Sequence, residues 1–380
     1  MMTTQRLLLA LATLVLTSCK SAPPVAADRA PANAPNPPLE QGEVWGAEDE
    51  EIARQITEET RNIALENRKS GEPLRRDAHP KHHGCVKAFV TTDNSTLDRN
   101  ARFGFLGESK PQAAWLRLSN GDPKGFANPD KTGDVRGFAL KIMNSPQTPQ
   151  GNHDITAMSS PRFFSRDSED YLDLFHALRG GTLSLAWYAA RNWTNISIVR
   201  AAQITPENPL TTDYFVPVPT KYGAQNMRMN FRPCANPAAR AIKADKSRPN
   251  YLREGLVTAL AKEGACFDIL IQVNKDPQTN IVENPTLEWN AKISPWQVAG
   301  RVEIPQQTGS DTPERMAFCE NLSFNPWNAH PDLRPMGQIN RARKIVYDEI
   351  SKMRHQENQV PQIEPRDHNA CVGETAALCR

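Results

Sequence analysis

Residues 75–92 read R-R-D-A-H-P-K-H-H-G-C-V-K-A-F-V-T-T, and no other stretch constrains the fold as much. A turn broken by Pro80 and Gly84 runs straight into a strand-like run at 86–91, so a group of titratable side chains is tied to the start of a strand. Arg76 lies three residues before His79, and His82 and His83 follow closely. The three histidines suggest a transition-metal site. Neighbours at this spacing in a Pro/Gly turn do not converge on one ion without a distant carboxylate or cysteine. His82 and His83 therefore read as solvated loop residues, which leaves His79 as the functional candidate.

The chain begins with a basic residue, Arg6, an apolar run at 7–16 and the small-residue site Thr17-Ser18-Cys19. That pattern reads as a secretory signal, too short for a transmembrane helix. Leu16-Thr17-Ser18-Cys19 resembles a bacterial lipobox, so residues 1–18 are expected to be a signal peptide and Cys19 the lipidated first residue. Several acyl chains on Cys19 would make a stable anchor. Lys20, not an aspartate, points to the outer membrane, and the expected location is the bacterial periplasm. The stretch 19–44 is dense in Pro and Ala over 21–41, which cannot build a core and reads as a spacer.

A net charge of +2 gives no argument for nucleic acid or an acidic substrate, so the only membrane contact expected is the anchor. Of seven cysteines, six remain beyond Cys19, an even number in an exported chain. Cys371 and Cys379 are spaced to close a small tail loop, whereas Cys85 and Cys266 lie in apolar runs and read as buried thiols.

Residues 48–68 carry Ile52, Ile56 and Ile63 at helical spacing. Residues 113–119 alternate as a strand, with Trp115, Arg117 and Ser119 on one face and Leu116 and Leu118 on the other. An arginine on such a strand needs an anionic partner. Further strands are expected at 134–143, 214–218, 226–231 and 266–273, and helices at 168–178 and 251–263. Near the end, Arg343, Tyr347, Ser351 and Arg354 share one helical face. A tyrosine ligates ferric iron well only as phenolate, and an arginine one turn upstream supplies the cation that this needs. The chain shows no phosphate-cradling glycine loop and no nucleophile elbow.

These pieces together resemble the haem catalase family, and most closely its short, catalase-related peroxidase branch. His79 falls on the family's distal histidine, Arg76 on the arginine three residues before it, and Lys81 and Gly84 on its lysine and second glycine. The run A-W-L-R-L-S places Arg117 and Ser119, D-V-R-G-F-A-L-K places Asp134, and S-P-R-F-F-S-R-D places Phe163, with Tyr171 where the family stacks a phenylalanine on the haem. The run V-E-N-P-T-L-E-W at 282–289 matches a structural segment, and R-x-x-x-Y at 343–347 matches the proximal helix. The likeness spans roughly residues 76–355.

The resemblance implies an α+β haem domain at 45–356, a closed antiparallel β-barrel with surrounding helices, and a carboxyl-terminal tail at 357–380. It implies haem b with ferric iron, Tyr347 as the iron's axial ligand held by Arg343, and Arg76, Arg117 and Arg354 on the propionates. Asp134 and Ala78, the latter in place of a valine, would line the channel. His79 and Ser119 would serve catalysis on hydrogen peroxide, His79 moving a proton between the two oxygens. One feature departs from the family: its distal asparagine is absent, and Met158 and Ser159 stand there. Met158 cannot donate a hydrogen bond, whereas Ser159 can if it points inward. The expected function is peroxide removal by a catalase or peroxidase that protects the cell envelope, as a homodimer or homotetramer. Processing of lipid or other organic hydroperoxides and a non-catalytic haem-binding lipoprotein are the alternatives.

Overall fold

The computed structural model describes residues 36–369; the lipobox with Cys19 and the Cys371 and Cys379 pair lie outside the described residues. In chain order the elements are helix α1 (Ala47–Glu66), strands β1 (His82–Thr92), β2 (Gln112–Asn120), β3 (Asp134–Ile142) and β4 (His153–Met158), then helices α2 (Ser168–Arg179), α3 (Gly181–Arg191) and α4 (Trp193–Ala202). Strands β5 (Gln203–Ile204), β6 (Tyr214–Tyr222) and β7 (Gln225–Pro233), helices α5 (Pro237–Arg240) and α6 (Tyr251–Lys262), strands β8 (Ala265–Val273) and β9 (Trp296–Ile304), and helices α7 (Pro313–Asn321) and α8 (Gln338–Glu357) complete it.

Strands β1, β2, β3, β4, β6, β7, β8 and β9 pair antiparallel in that cyclic order, and β9 returns to β1, so the sheet closes on itself. Closure leaves no unpaired edge on the barrel. Its interior follows from the strand period of two: Val86, Ala88 and Val90 of β1, Leu116 and Leu118 of β2, and Phe138, Leu140 and Ile142 of β3 share one buried cluster with Met227, Met229 and Phe231 of β7 and Phe267, Ile269 and Ile271 of β8. Phe138 stacks on Phe231 with ring centroids 4.5 Å apart, which fills the middle with aromatic surface.

The expected strands and helices stand within a few residues of the predicted bounds. Helix α1 buries Ala53, Ile56, Thr60 and Ala64, the inward stripe of its amphipathic pattern, and packs with α2 and α8 through Leu172 and Ala342. Strands β4, β5 and β9 and helices α3, α4, α5 and α7 lie outside the expected elements.

Three expectations give way to the structure. His82 and His83 are not solvated: β1 begins at His82, and both side chains are 1% exposed. His83 Nε2 meets Asn120 Oδ1 at 2.9 Å, and His82 Nε2 meets the Met316 carbonyl at 3.2 Å, so their ring nitrogens serve packing of the turn and bring no metal together. Cys85 and Cys266 are not free thiols. Cys85 bonds to Cys319 across 234 residues of chain, and Cys234 bonds to Cys266 across β7 and β8, where pairing sets them side by side. The spacer, finally, ends earlier than residue 44. Buried Arg341 takes the carbonyl of Pro37 at 2.9 Å, and Glu43 bridges Arg341 and Arg334 at 2.8 and 2.7 Å.

The described part of the tail also packs against the barrel. Glu364 reaches Lys141 Nζ at 2.7 Å, and Trp115 Nε1 donates to the Asp367 carbonyl. Lys141 is fully buried. Burial alone would pull its pKa down, but Asp154 and Glu364 on either side carry it up.

Candidate functional site

Strands β2, β3 and β4 set three cross-strand rows on the outside of the barrel. Ser119, Gly137 and Met158 form one row, Arg117, Ala139 and Thr156 the next, and Trp115, Lys141 and Asp154 the third. They alternate with the inward rows Leu118–Phe138–Ala157 and Leu116–Leu140–Ile155, so parity alone aims them outward. Two small residues, Gly137 and Ala139, lie in the middle of this face. Gly137 is required there, because a Cβ would overlap the His79 ring.

His79 is held over the face by its backbone and its ring. Its N–H donates to the Gly121 carbonyl at 3.1 Å, its carbonyl accepts from Arg117 Nη2 at 2.7 Å, and Ser119 Oγ lies 3.2 Å from Nδ1. Its φ of 60° is left-handed, a conformation that costs a non-glycine residue about 1–3 kcal/mol and persists where surroundings over-determine it. Burial, then the charges of Arg117, Arg76 and Arg343, lowers its pKa to about 3, so the ring is neutral at ordinary pH.

Across the same face stands the α8 pair. Arg343 Nη2 donates to Tyr347 Oη at 2.9 Å and to Thr156 Oγ1 at 2.7 Å, while Nη1 donates to Asn340 Oδ1 at 2.9 Å. The guanidinium is thus pinned by a barrel strand and by its own helix, and it presents a fixed cation to the phenol oxygen. Beside the pair, Tyr171 lies edge-on to Phe163 at 5.5 Å and to Phe175 at 4.8 Å, and burial raises its pKa. Ala78 is exposed at the rim of His79, and Asp134 Oδ2 accepts from the Asp122 N–H at 3.0 Å, one residue past the Gly121 that anchors His79. Burial raises the Asp134 pKa.

Arg76, Arg117 and Arg354 do come together, but around a carboxylate of the chain. Glu320, at the end of α7, has Oε2 at 3.1 Å from Arg76 and 3.6 Å from Arg117, and Oε1 at 4.0 Å from Arg354. Burial would raise the Glu320 pKa, yet the three arginines hold it below the usual value. The reverse pull is incomplete: burial and neighbouring guanidiniums lower Arg117 and take Arg354 down to about 9. Arg117 Nε and Arg354 Nε have no hydrogen-bond acceptor. Three cations against Glu320 and the neighbouring Asp77 still leave an excess of positive charge, which further carboxylates would match. Together with the small Gly137 and Ala139 floor and the Arg343–Tyr347 pair, this fits a haem with two propionates.

Ser159 is not brought to His79. Its hydroxyl donates to the Ala202 carbonyl at 3.2 Å and accepts from the Arg136 N–H at 2.9 Å. Met158 instead shares the row of Ser119 and Gly137, so the thioether occupies the face where a hydrogen-bond donor was sought. Glu320 and Thr156 were missed in the sequence. Thr156 was legible from the alternation with Asp154 and Met158, whereas Glu320 has no signal short of the folded packing.

A Catalase family model matches residues 67–195. The chain is 30% identical to a catalase of an Onchocerca volvulus endobacterium over 77% of its length and 64% of the relative's. It is 31% identical to a catalase of Aliivibrio fischeri over 31% of its length and 23% of that protein's, so it spans only part of both relatives. Among solved structures, catalase A from Saccharomyces cerevisiae superposes with a TM-score of 0.62 at 16% identity, covering 90% of this chain and 76% of the other. A fungal catalase superposes at 0.61 with 16% identity, covering 90% and 74%. The closed barrel is the barrel of those structures, and the matched stretch runs through the His79 turn and the rows beneath it, so the chain is similar to catalases in part of its sequence and in its fold.

Proposed function

We propose that this chain removes hydrogen peroxide at a haem b held between His79 and Tyr347. The observation that carries the reading is that one outer barrel face gathers His79 backed by Ser119, Tyr347 held by Arg343, and an arginine cluster with an excess of positive charge. When bound, the haem supplies ferric iron that exchanges electrons with the peroxide. The chain's residues do the rest. With Nδ1 turned to Ser119, His79 would use Nε2 to take a proton from one peroxide oxygen and return it to the other. A neutral ring is the form that can accept that proton, and the lowered pKa keeps it so. Arg343 fixes Tyr347 Oη toward the face and compensates negative charge on it. Arg76, Arg117 and Arg354 take the haem carboxylates that Glu320 leaves unmatched.

Met158 gives the peroxide no donor, so orientation rests on His79. Loss of one donor to a reacting oxygen is worth about 10²–10³ in rate, which favours a slow catalase or a peroxidase using an organic reductant. Organic hydroperoxides are the second reading, favoured by the exposed, small Ala78 at the rim of His79. Consumption of hydrogen peroxide and of a fatty-acid hydroperoxide by the haem-loaded protein, measured side by side, decides between them. Faster consumption of hydrogen peroxide supports the first reading, faster consumption of the lipid substrate the second, and neither removes both.

The same proposal places the protein in the bacterial periplasm, exported by residues 1–18 and tethered to the outer membrane through Cys19, where it protects the envelope. Two disulfides among the described residues support an oxidising compartment. Assembly as a homodimer or homotetramer belongs to this proposal too.

A further inference from the structure

Helix α3 turns its apolar stripe outward. Leu183 is 86% exposed and Trp187 67%, with Trp193 at the start of α4 at 63%. Ala186 and Ala190 are exposed as well, so positions 183, 186, 187 and 190 repeat the i, i+3, i+4, i+7 spacing that ordinarily faces a core. Inward contacts fall to Tyr188 and Leu185. Residues 180–206 contain no Asp or Glu, and their only charges are Arg191 and Arg200. Each rides on an exposed indole, Arg191 at 5.5 Å from the Trp187 ring and Arg200 at 5.4 Å from that of Trp193. Of the two α2 acids that act on Tyr188, Asp170 is turned inward to Tyr188 and Asn195, and Asp173 is exposed on α2.

We infer that the α3–α4 face docks on an anionic phospholipid surface. Exposed leucine and tryptophan with arginines at their edges, and no carboxylate, is the chemistry that settles at the headgroup boundary. A second copy is the poorer occupant. A two-fold contact would set this face against itself, and Arg191 and Arg200 would meet only arginines. Docking here is independent of the site chemistry. Beside any tether at Cys19, it would fix which side of the barrel faces the bilayer.

The test is quenching of tryptophan fluorescence in the full chain by vesicles of phosphatidylcholine and phosphatidylglycerol whose acyl chains are brominated near the headgroup. A tether elsewhere brings the protein to the vesicle but does not insert Trp187 and Trp193. We expect strong quenching that is mostly lost in Trp187→Phe/Trp193→Phe. Arg191→Gln/Arg200→Gln should raise the lipid concentration for half-maximal quenching by about fivefold for each charge removed. Quenching equal in the wild type and the double tryptophan variant would overturn the proposal. So would a wild-type dimer that Trp187→Ser converts to a monomer, because that outcome assigns the face to a second copy.

Discussion

His79 illustrates how one residue's surroundings set its chemistry. A left-handed backbone, two backbone hydrogen bonds and Ser119 hold the ring, and burial beside three arginines keeps it neutral. Because its pKa is lowered from 6.5 to about 3, peroxide consumption should show no acid limb near the ordinary histidine value. A rate profile that instead falls with a midpoint close to pH 6.5 would show that His79 titrates freely. The neighbouring pair Met158 and Ser159 separates by pleat. Met158→Asn restores a donor on the outward row and should raise the oxygen-release rate by about 10²-fold. Ser159→Ala should leave that rate within about twofold while lowering stability by about 1 kcal/mol for its lost bonds to Ala202 and Arg136. Both residues were visible in the sequence as departures from the family. Which of them faces the site depends on strand parity, and that needed the Gly137 to Met158 pairing.

At the scale of elements, α7 has the largest role that the sequence concealed. It carries Cys319 and Glu320 together, so one helix end is cross-linked to β1 at Cys85 and inserted among Arg76, Arg117 and Arg354. The strands of the barrel were legible because alternation and β-branching are local properties. Partners 234 residues apart leave no local trace, and neither does a carboxylate whose role exists only when three arginines converge on it. Glu320→Gln removes the cluster's internal anion. Urea unfolding of the haem-free protein should then show a loss of about 3 kcal/mol, most of it regained when haem adds its own carboxylates. An equal loss with and without haem would show that Glu320 and the haem carboxylates do not share the arginines. Cys85→Ser with Cys319→Ser should cost up to about 5.5 kcal/mol by loop entropy over so long a span, read in the same unfolding experiment.

The whole molecule should be sensitive to acid. Burial holds His79, His83 and His153 at about 3 and His82 well below its ordinary value. As pH falls from 6.5 toward 3, the unfolded chain binds protons on these four groups that the folded chain refuses, so stability falls with pH. Asp77 and Asp154, raised to about 6 by burial, act in the opposite sense between their ordinary 3.8 and 6, as do Asp134 and Glu283, but His330, His355 and His368 are lowered too and the histidines outnumber these acids. Melting temperature should therefore drop steadily from pH 7 to pH 4, and a flat profile would place these histidines in contact with water. The fold of the molecule was legible because distal turn, strands and proximal helix occur in one order along the chain. The arrangement around it was not: the spacer's end at Glu43, the tail's Glu364 and the outward stripe of α3 are all tertiary choices made by buried arginines, Lys141 and Tyr188.

In the proposed function, peroxide removal depends on His79 above a haem that Tyr347 would hold. Its most direct test is oxygen release by electrode from haem-loaded protein, compared with His79→Ala at equal haem content by absorbance. The variant is expected to keep its haem and lose about 10²-fold or more of the rate. A His79→Ala protein that releases oxygen as fast as the wild type would contradict it.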